Sequence, residues 1–453
     1  MSRSIHILTA VWGAQYVERF LSTTLPTVLS ANNLPALCAE REAVYRIYTS
    51  REDADLIKRS PLFGELRRHV PVIIESPEIP AAPEEKYSRA TNYYRLGLRR
   101  SAADGMATVM LTPDAIWSNG SLTRVGQLAD QGVRAVLVDG LRAEQDAFMD
   151  TFKNAVLPDE RGVLTVEARP LMKMAMDAIH PYEAALTWGT DMTHDVPFRL
   201  HWPVAGEGIL SRGFCIHPLY IDPETEDLDF AGAIDHGLVN SAILDRSKIF
   251  YADNSDDFAI VSIDAVGFSG QNLKRFGKRG DLLNAAHWAW ASATEQNLEA
   301  LQFPLRRHFG PMSEAKWKRA ERLSARHVAA ILSCRKLLVF LFKMEAMGLN
   351  CAAALLAFAL KAGGLTGWLG DPSPKTLLVP ADTAFEKMDS SHWKFLLSPE
   401  GAGALRALLM AHTVDGALAP SAAETKFPGI KILDAGIEVE DWIIHVIDSL
   451  VQT

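Results

Sequence analysis

The segment 106–122, MATVMLTPDAIWSNGSL, decides the fold prediction for this chain. Its apolar, β-branched run at 107–111 is typical of a buried strand. Pro113 must end that strand because proline cannot donate a hydrogen bond to a β-ladder. Asp114 is therefore expected on an exposed turn at the carboxyl end of the strand. Ligands bind at this edge in open α/β sheets, and a carboxylate there can hold a divalent cation and its phosphate ligands.

Strand and helix patterns alternate about five times over roughly the first 140 residues. This alternation is typical of an α/β fold with a Rossmann-like, mostly parallel sheet covered by helices on both faces. Pro26 interrupts the first helical pattern and should kink that helix or end it early. The apolar runs that predict strands lie at 5–11, 44–48, 70–74, 107–111 and 133–138, and the helical patterns between them at 16–30, from about 51, at 87–102 and at 122–131.

The composition describes a globular chain of more than one domain. Its 453 residues are 48% apolar and 22% charged, and this length exceeds what a single core usually supports. The net charge of −9 and the lack of a long basic block argue against a nucleic-acid partner. Charged residues interrupt the most apolar region, 328–365, so we expect a buried or amphipathic helix there and no membrane span.

Cysteine usage and the first residues of the chain favour a cytoplasmic location. The four cysteines are scattered without CxxC spacing, which is typical of reduced thiols. The N-terminal apolar run is short and has no small-residue cleavage site, so we do not interpret it as a signal peptide.

The order of the predicted strands and the acidic turn resemble the GT-A class of glycosyltransferases, the nucleotide-diphospho-sugar transferase fold, over about residues 1–310. In that class a short motif, usually Asp-x-Asp, closes the fourth strand and binds the metal that neutralises the diphosphate. The motif here is Thr112-Pro113-Asp114, which keeps the second carboxylate and lacks the first. The resemblance implies Mn²⁺ or Mg²⁺ at Asp114 and a nucleotide-sugar donor as ligand.

The same resemblance implies that the turn after the first strand contacts the nucleotide. It nominates Thr9, Ala10 and Trp12, of which Trp12 could stack on the base or instead pack the following helix onto the sheet. Arg95, on the helix before the key strand, could reach a phosphate. It could equally belong to the solvated face of an arginine-rich helix.

Two later turns supply the remaining candidate site residues. GT-A enzymes often add a later His or Asp to the metal, and His217, at a His-Pro step after an apolar run, is the candidate for this role. Asp235 lies on another acidic turn and is the candidate catalytic base for an acceptor hydroxyl. A capping or hydrogen-bonded structural role is the alternative for each.

The C-terminal residues 347–453 resemble the fasciclin-like (FAS1) domain, which is a smaller α+β fold. The sequence TLLVPADTAF at 376–385 is similar to the first family signature, AHTV at 411–414 to its central segment, and IHVID at 444–448 to its closing strand. The family implies a binding module for a protein partner, joined here through a helical connector at 311–346. From the residues alone, Asp382 is expected to cap a helix, and His412 and His445 to be hydrogen-bonding core residues.

Two functions of different classes remain open from the sequence. The first is a metal-dependent glycosyltransferase acting on a glycan, lipid or protein acceptor. The second is a non-catalytic scaffold or adhesion-type binding protein on a degenerate glycosyltransferase fold, which the missing first carboxylate favours. A nucleotidyltransferase is a third class, but the first loop lacks the glycine-rich basic signature expected for it.

Overall fold

The computed structural model describes residues 3–77, 86–190, 192–194, 196–225, 228, 230, 232–267, 273–275, 280–361, 368, 373–386, 388–398 and 400–451. The chain divides into two compact units. Unit 1 comprises Met1–Asp281 and Ala293–Ala325, and unit 2 comprises Leu282–Ser292 and Arg326–Thr453. The predicted domains 1–310 and 347–453 with a connector at 311–346 stay a prediction. Within the described residues, no helix has the length and apolar character required to cross a lipid bilayer.

Strands and helices alternate through unit 1, and a smaller mixed set forms unit 2. In chain order the described strands are β1 (Ile5–Ala10), β2 (Ala43–Tyr48), β3 (Val72–Glu75), β4 (Ala107–Leu111), β5 (Ala115–Trp117), β6 (Ala135–Val138), β7 (Leu141–Glu144), β8 (Met192–His194), β9 (Arg199–Val204), β10 (Gly208–Gly213), β11 (His217–Ile221), β12 (Ile249–Tyr251), β13 (Ile260–Asp264), β14 (Leu273–Arg275), β15 (Leu305–His308), β16 (Lys375–Pro380), β17 (Thr413–Asp415), β18 (Ile432–Val439) and β19 (Trp442–Ile447). The described α-helices are α1 (Ala14–Arg19), α2 (Leu25–Val28), α3 (Leu34–Glu40), α4 (Arg51–Arg59), α5 (Pro61–His69), α6 (Lys86–Ala103), α7 (Ser121–Asp130), α8 (Gln145–Ala155), α9 (Ala168–Asp177), α10 (Pro181–Ala185), α11 (Ile234–Ala242), α12 (Gly280–Ala291), α13 (Glu295–Ala300), α14 (Glu314–Ala346), α15 (Asn350–Lys361), α16 (Asp382–Phe385), α17 (Ser390–Leu396), α18 (Ala402–Ala411) and α19 (Pro420–Lys426).

A mostly parallel sheet of seven strands forms the centre of unit 1, which confirms the predicted α/β class. Its strand order is β12-β6-β11-β4-β1-β2-β3. The strand β1 pairs in parallel with β2 and β4, and β6 pairs in parallel with β12. The strand β11 is inserted antiparallel between β4 and β6. Because β1 and β4 are parallel neighbours, the residues that follow them lie side by side at one edge of the sheet.

Side-chain alternation along the strands builds a core on each face of this sheet. Ile7 of β1 and Val109 of β4 belong to one buried cluster, and Leu8 and Met110 belong to the other. Helix α6 covers the second face at close range, because a Cβ at Gly97 would lie 2.4 Å from a Leu8 methyl carbon. This close packing fixes the position of α6 relative to the edge where β1 ends.

Pro26 disrupts the first helix, as predicted. The helix α1 gives way to a π-helical turn, Phe20–Thr24, before α2 begins. Proline has no N–H, so the regular hydrogen bond to the carbonyl four residues earlier cannot form. The Thr27 hydroxyl donates to the Thr23 carbonyl at 3.0 Å and accepts from the Trp117 N–H at 3.2 Å. The disrupted helix is thereby tied to β5.

A second sheet, β5-β13-β7, continues from the carboxyl edge of the large sheet. The sequence at 142–155 has a helical pattern that predicts a helix there, but this prediction is wrong at its start, because 141–144 form β7, which pairs in parallel with β13. Burial alternates along this segment as expected for a β-strand: Leu141 and Ala143 are buried, whereas Arg142 and Glu144 are more accessible. The Glu144 carboxylate then accepts two backbone N–H groups and starts α8.

A buried network of charged side chains ties the large sheet to a third sheet, β15-β10-β9. Asp139, which follows β6, lies 2.7 Å from Arg307 of β15 and 2.9 Å from Arg199 of β9. Glu183 of α10 accepts a hydrogen bond from His201 of β9 at 2.8 Å. Burial opposes ionisation of Glu183, but Arg199 and the hydrogen-bonded His201 lower its pKa to about 2. The network therefore carries charge in the interior of unit 1 at neutral pH.

Unit 2 contains a four-stranded sheet of order β17-β16-β19-β18. The strands β16 and β19 pair in parallel, with Thr376 opposite Ile443 and Pro380 opposite Ile447. The buried Trp442 and Ile444 of β19 pack in an apolar cluster with residues of α15 and α18. This arrangement confirms the predicted smaller α+β fold.

The two histidines of unit 2 are hydrogen-bonded core residues, as predicted. His412 donates from Nδ1 to the Leu408 carbonyl at 2.8 Å and accepts the Val451 N–H at Nε2 at 3.0 Å. His445 accepts the Gly436 N–H at Nδ1 at 3.0 Å and donates from Nε2 to the Leu418 carbonyl at 2.7 Å. Both nitrogens of each ring are therefore used within the fold.

Asp382 serves a different helix from the one expected. It is the first residue of α16, and its side chain does not cap that helix. Its Oδ1 instead accepts the Cys351 N–H at 2.8 Å, and its Oδ2 accepts from the Asn350 amide at 3.3 Å. The carboxylate thus satisfies a free donor in the first turn of α15, a contact that sequence proximity does not reveal.

Candidate functional site

A cavity of about 260 Å³ opens at the carboxyl ends of β1 and β4. Its lining comes from the turn after β1, from α6, from the Thr-Pro-Asp turn after β4, and from β7 and β13. The lining residues are Ala10, Val11, Trp12, Tyr16, Ala90, Tyr94, Thr112, Pro113, Asp114, Arg142, Ser262 and Asp264. Two sheets therefore contribute walls to one pocket at the edge where the sequence predicted ligand binding.

Asp114 is the lining carboxylate that keeps free hydrogen-bonding capacity. It is half-buried, and across the described ranges its carboxylate has no hydrogen bond or ion pair to the side chain of another residue. Burial and the neighbouring charge of Asp264 raise the pKa of the Asp114 carboxyl, against the opposing charges of Arg142 and Arg19. A cation placed beside Asp114 would offset both unfavourable contributions.

Asp264 supplies a second carboxylate to the cavity, at the carboxyl end of β13. Its Oδ2 lies 3.1 Å from Arg142 Nε and its Oδ1 lies 3.5 Å from Arg19 Nη1. Arg19 also donates to the Ile263 carbonyl at 2.9 Å. Asp264 is only 4% exposed, and its two arginine partners balance its buried charge. The contact with Asp264 in turn holds Arg142 at the cavity wall.

Aromatic side chains form another part of the lining, an aromatic wall that includes Trp12 and Tyr94. The Trp12 ring is half-buried and its centroid lies 5.4 Å from that of Tyr93. The Arg89 guanidinium lies 5.1 Å from the Trp12 ring centroid, a cation–π distance. The Tyr94 hydroxyl donates to the Leu111 carbonyl at 3.1 Å, which fixes its ring beside the end of β4. The contacts with Tyr93 and Arg89 and the hydrogen bond of Tyr94 hold these aromatic rings in place at the cavity.

Of the four residues predicted to contact the nucleotide, two line the cavity and two do not. Ala10 and Trp12 line the cavity. Thr9 is fully buried, its hydroxyl is 2.7 Å from the Tyr45 hydroxyl, and it is not among the lining residues. Arg95 donates to the Phe230 carbonyl and its guanidinium lies 4.6 Å from the Phe230 ring centroid, also outside the lining. Contact of Thr9 or Arg95 with a nucleotide stays a prediction.

His217 begins β11 and uses one ring nitrogen within the protein. Its Nε2 donates to the Met110 carbonyl at 2.7 Å, and burial lowers the pKa of its imidazole. Asp114 lines the cavity and His217 does not. Joint binding of one metal ion by Asp114 and His217 therefore stays a prediction, and only Nδ1 of His217 is left for it.

Asp235 lies in a second polar group, also outside the cavity lining. It is in the first turn of α11, and its Oδ1 is 2.8 Å from Nδ1 of His236. That hydrogen bond raises the pKa of His236. Ligand atoms of Cys215, Asp235 and His236 all lie within 4.8 Å of one another. The proposed action of Asp235 as a base stays a prediction.

Sequence reasoning missed Arg142 and Asp264. Asp264 ends an apolar strand at a sheet edge, which is the same signal that identified Asp114. Arg142 lies on the short strand β7, at the start of a segment whose local pattern predicts a helix, so the sequence does not place it at this edge. Both become recognisable only when the pairing of β13 with β7 is known.

Comparison with known families identifies part of unit 2. The profile of the Fasciclin domain family matches residues 353–426, within the predicted 347–453. The chain therefore contains a fasciclin domain, and the resemblance read from its signature sequences is confirmed. No curated protein sequence matches the chain.

Solved structures similar to this chain include three transferases. A mannosyltransferase from Pyrobaculum calidifontis, solved with GDP-Man and Mn²⁺, is 11% identical, with 90% of this chain and 86% of that chain covered and a TM-score of 0.30. Mouse xyloside xylosyltransferase 1 is 12% identical, with 36% and 66% covered and a TM-score of 0.22. A putative glucose-1-phosphate thymidylyltransferase from Bacillus anthracis is 15% identical, with 32% and 57% covered and a TM-score of 0.20. The chain thus spans less than two thirds of the last two proteins.

The strand order of unit 1 agrees with the predicted mostly parallel α/β sheet, and the resemblance of that sheet to the GT-A class stays a prediction. The same chain carries a fasciclin domain. Overlaps with TM-scores this low do not define an activity.

Proposed function

We propose that this protein is a glycosyltransferase that takes a sugar from a nucleotide-sugar donor bound in the cavity of unit 1. The observation that carries the proposal is the meeting of an aromatic wall with Asp114 and Arg142 at the carboxyl edge of β1 and β4. A nucleotide sugar has a planar base and a diphosphate, which match these two sets of side chains. The edge is also the usual ligand position in open α/β sheets.

Three residues have roles in this proposal, and two of them, Trp12 and Arg142, line the cavity. Trp12 stacks on the base, because its ring is already held by Tyr93 and Arg89. Arg142, oriented by Asp264, places positive charge next to the diphosphate. Asp235 remains the proposed base for the acceptor hydroxyl of a glycan, lipid or protein.

The Asp114 turn fits a divalent cation of the Mn²⁺ or Mg²⁺ type. Such ions are commonly held by one or two carboxylates together with substrate phosphates, and Asp114 has its carboxylate available. When bound, the cation would supply charge neutralisation of the leaving nucleoside diphosphate. The chain's own contribution is to hold the Asp114 carboxylate at the cavity, between the aromatic wall and Arg142.

Calorimetric titration of UDP- and GDP-linked sugars, with and without Mn²⁺, tests this proposal. We expect one donor class to bind, more tightly with Mn²⁺, and we expect Asp114→Asn to lose the Mn²⁺-dependent part of the affinity. Asp150→Asn is the matched control, because Asp150 is exposed on α8 and outside the cavity lining. Absence of binding by every donor in the presence of Mn²⁺ would overturn the proposal.

One observation favours the non-catalytic alternative. Thr112 lies where the GT-A motif has its first carboxylate, so the cavity offers one unpaired acid where two are usual. The two functions differ in turnover. Slow release of free nucleoside diphosphate from a bound donor identifies a transferase, whereas tight binding without release over hours identifies a scaffold that acts through its fasciclin domain.

A further inference from the structure

A group of three side chains with metal-binding donor atoms lies close together in unit 1, apart from the cavity lining. Cys215 comes from the segment before β11, and Asp235 and His236 come from the first turn of α11. One ligand atom from each residue lies within 4.8 Å of the other two. Cys215 is 9% exposed, whereas the side chains of Asp235 and His236 are each 28% exposed, so solvent reaches the group from one side.

We propose that Cys215, Asp235 and His236 bind one divalent metal ion of the zinc class. Donor atoms on one zinc ion lie about 2.0–2.3 Å from it, so small side-chain rotations bring these three atoms into one coordination sphere. The accessible side leaves the fourth tetrahedral position to water or to a ligand. Three protein donors with one open position is the arrangement of reactive zinc sites.

A neighbouring hydrogen-bond framework holds the two segments together. Asn297 is fully buried, and its amide donates to the Phe214 carbonyl and to the Asp235 carbonyl, each at 2.9 Å. The same amide nitrogen lies 3.9 Å from Cys215 Sγ. One side chain therefore fixes the spacing between the cysteine and the start of α11, as outer residues do around metal ligands. The Cys215 segment and the start of α11 are therefore already held together before a metal ion binds.

The donor set selects the metal. A thiolate with an imidazole and one carboxylate suits Zn²⁺ or Co²⁺, whereas Mg²⁺ and Mn²⁺ prefer oxygen donors such as the Asp114 carboxylate. The proposal therefore goes beyond the donor-binding function, and neither depends on the other. It replaces the base role of Asp235, because a carboxylate bound to the metal ion is not available to accept the proton of an acceptor hydroxyl.

Cobalt spectroscopy tests the site directly. Co²⁺ is titrated into the full-length protein after chelator treatment under reducing conditions, and absorption is recorded. We expect about one equivalent of Co²⁺ to produce a thiolate-to-cobalt charge-transfer band with tetrahedral visible bands, and Zn²⁺ to displace it. Cys215→Ser should abolish the charge-transfer band. His236→Gln, at a partly exposed position, should weaken Co²⁺ binding at least about tenfold and leave the circular dichroism spectrum unchanged.

Cys38→Ser is the matched control, because Cys38 is another free cysteine of unit 1. It should keep the full cobalt spectrum. The proposal is overturned if the wild-type protein gives no charge-transfer band, or if the band survives in Cys215→Ser. If Cys215→Ser fails to fold, His236→Gln decides alone, and unchanged cobalt affinity in that variant overturns the proposal.

Discussion

Replacing Arg307 by methionine should cause a large loss of stability in unit 1. Arg307 is 1% exposed, its Nη2 lies 2.7 Å from Asp139, and its Nε donates to Ser211 Oγ at 3.0 Å. Methionine keeps much of the side-chain volume but removes the charge and both donors. The variant leaves Asp139 buried with one partner fewer.

The contacts set the size of the effect. Breaking a buried ion pair by removing one partner typically costs about 3–5 kcal/mol, because the remaining charge stays desolvated. Asp139 keeps Arg199 at 2.9 Å, so the loss should be near the lower end, about 3 kcal/mol. That value corresponds to roughly a 150-fold change in the unfolding equilibrium constant.

Urea unfolding followed by tryptophan fluorescence measures the loss as a shift of the unit 1 transition. Arg169→Met is the matched control, because Arg169 also forms a two-point contact with a carboxylate, Asp256, but both side chains are exposed. The control should leave the midpoint nearly unchanged. A second variant, Asp139→Asn combined with Arg307→Met, should lose less than the sum of the two single variants.

The reasoning is refuted if Arg307→Met lowers the free energy of unfolding by less than about 1 kcal/mol, or if it behaves like Arg169→Met. Either result would mean that water reaches the network and screens its charges. Strict additivity in the double variant would show that Asp139 and Arg307 do not interact as their 2.7 Å separation requires.

Three further predictions concern the cavity and unit 2. Trp12→Ala should weaken nucleotide-sugar binding by about 1–3 kcal/mol, the usual contribution of a base stacked on an aromatic ring, and Trp12→Phe should recover part of this loss. Equal calorimetric titration curves for the wild-type protein and both variants would exclude stacking. Burial and the charge of Asp264 raise the pKa of Asp114. As the pH is lowered, the Mn²⁺-dependent donor affinity should therefore begin to fall above the ordinary carboxyl value of 3.8 and be lost as the pH passes through the raised pKa. Calorimetry across the same pH range should show no such dependence in Asp114→Asn. Asp382→Ala should destabilise unit 2 by about 1 kcal/mol through the lost contact with the Cys351 N–H, and unchanged thermal unfolding would contradict that role.

The long buried strands could be predicted because each carries an uninterrupted apolar run. The strands β1, β2, β4 and β6 and the disruption at Pro26 all follow from local sequence. The short strands β5 and β7 could not be predicted in this way. They have three and four residues, and their pairing with β13, far along the chain, decides their conformation.

The candidate site shows the same division. Trp12 and Asp114 could be found because parallel neighbours bring the residues after β1 and β4 to one edge. Asp264 and Arg142 reach that edge through a second sheet, whose register no local pattern encodes. Asp382 illustrates the point in unit 2, since a capping carboxylate was expected but the helix it serves lies 31 residues earlier.

The two core histidines of unit 2 can report by NMR whether this unit stays folded when a partner binds. His412 donates from Nδ1 to one backbone carbonyl, and His445 donates from Nε2 to another. The two neutral rings are therefore held as opposite tautomers. Nitrogen NMR distinguishes these tautomers, and each ring would give its own pair of signals. A partner that docks on the surface of unit 2 would leave both pairs unchanged, whereas one that opens the domain would let the rings exchange their protons with water and merge the signals.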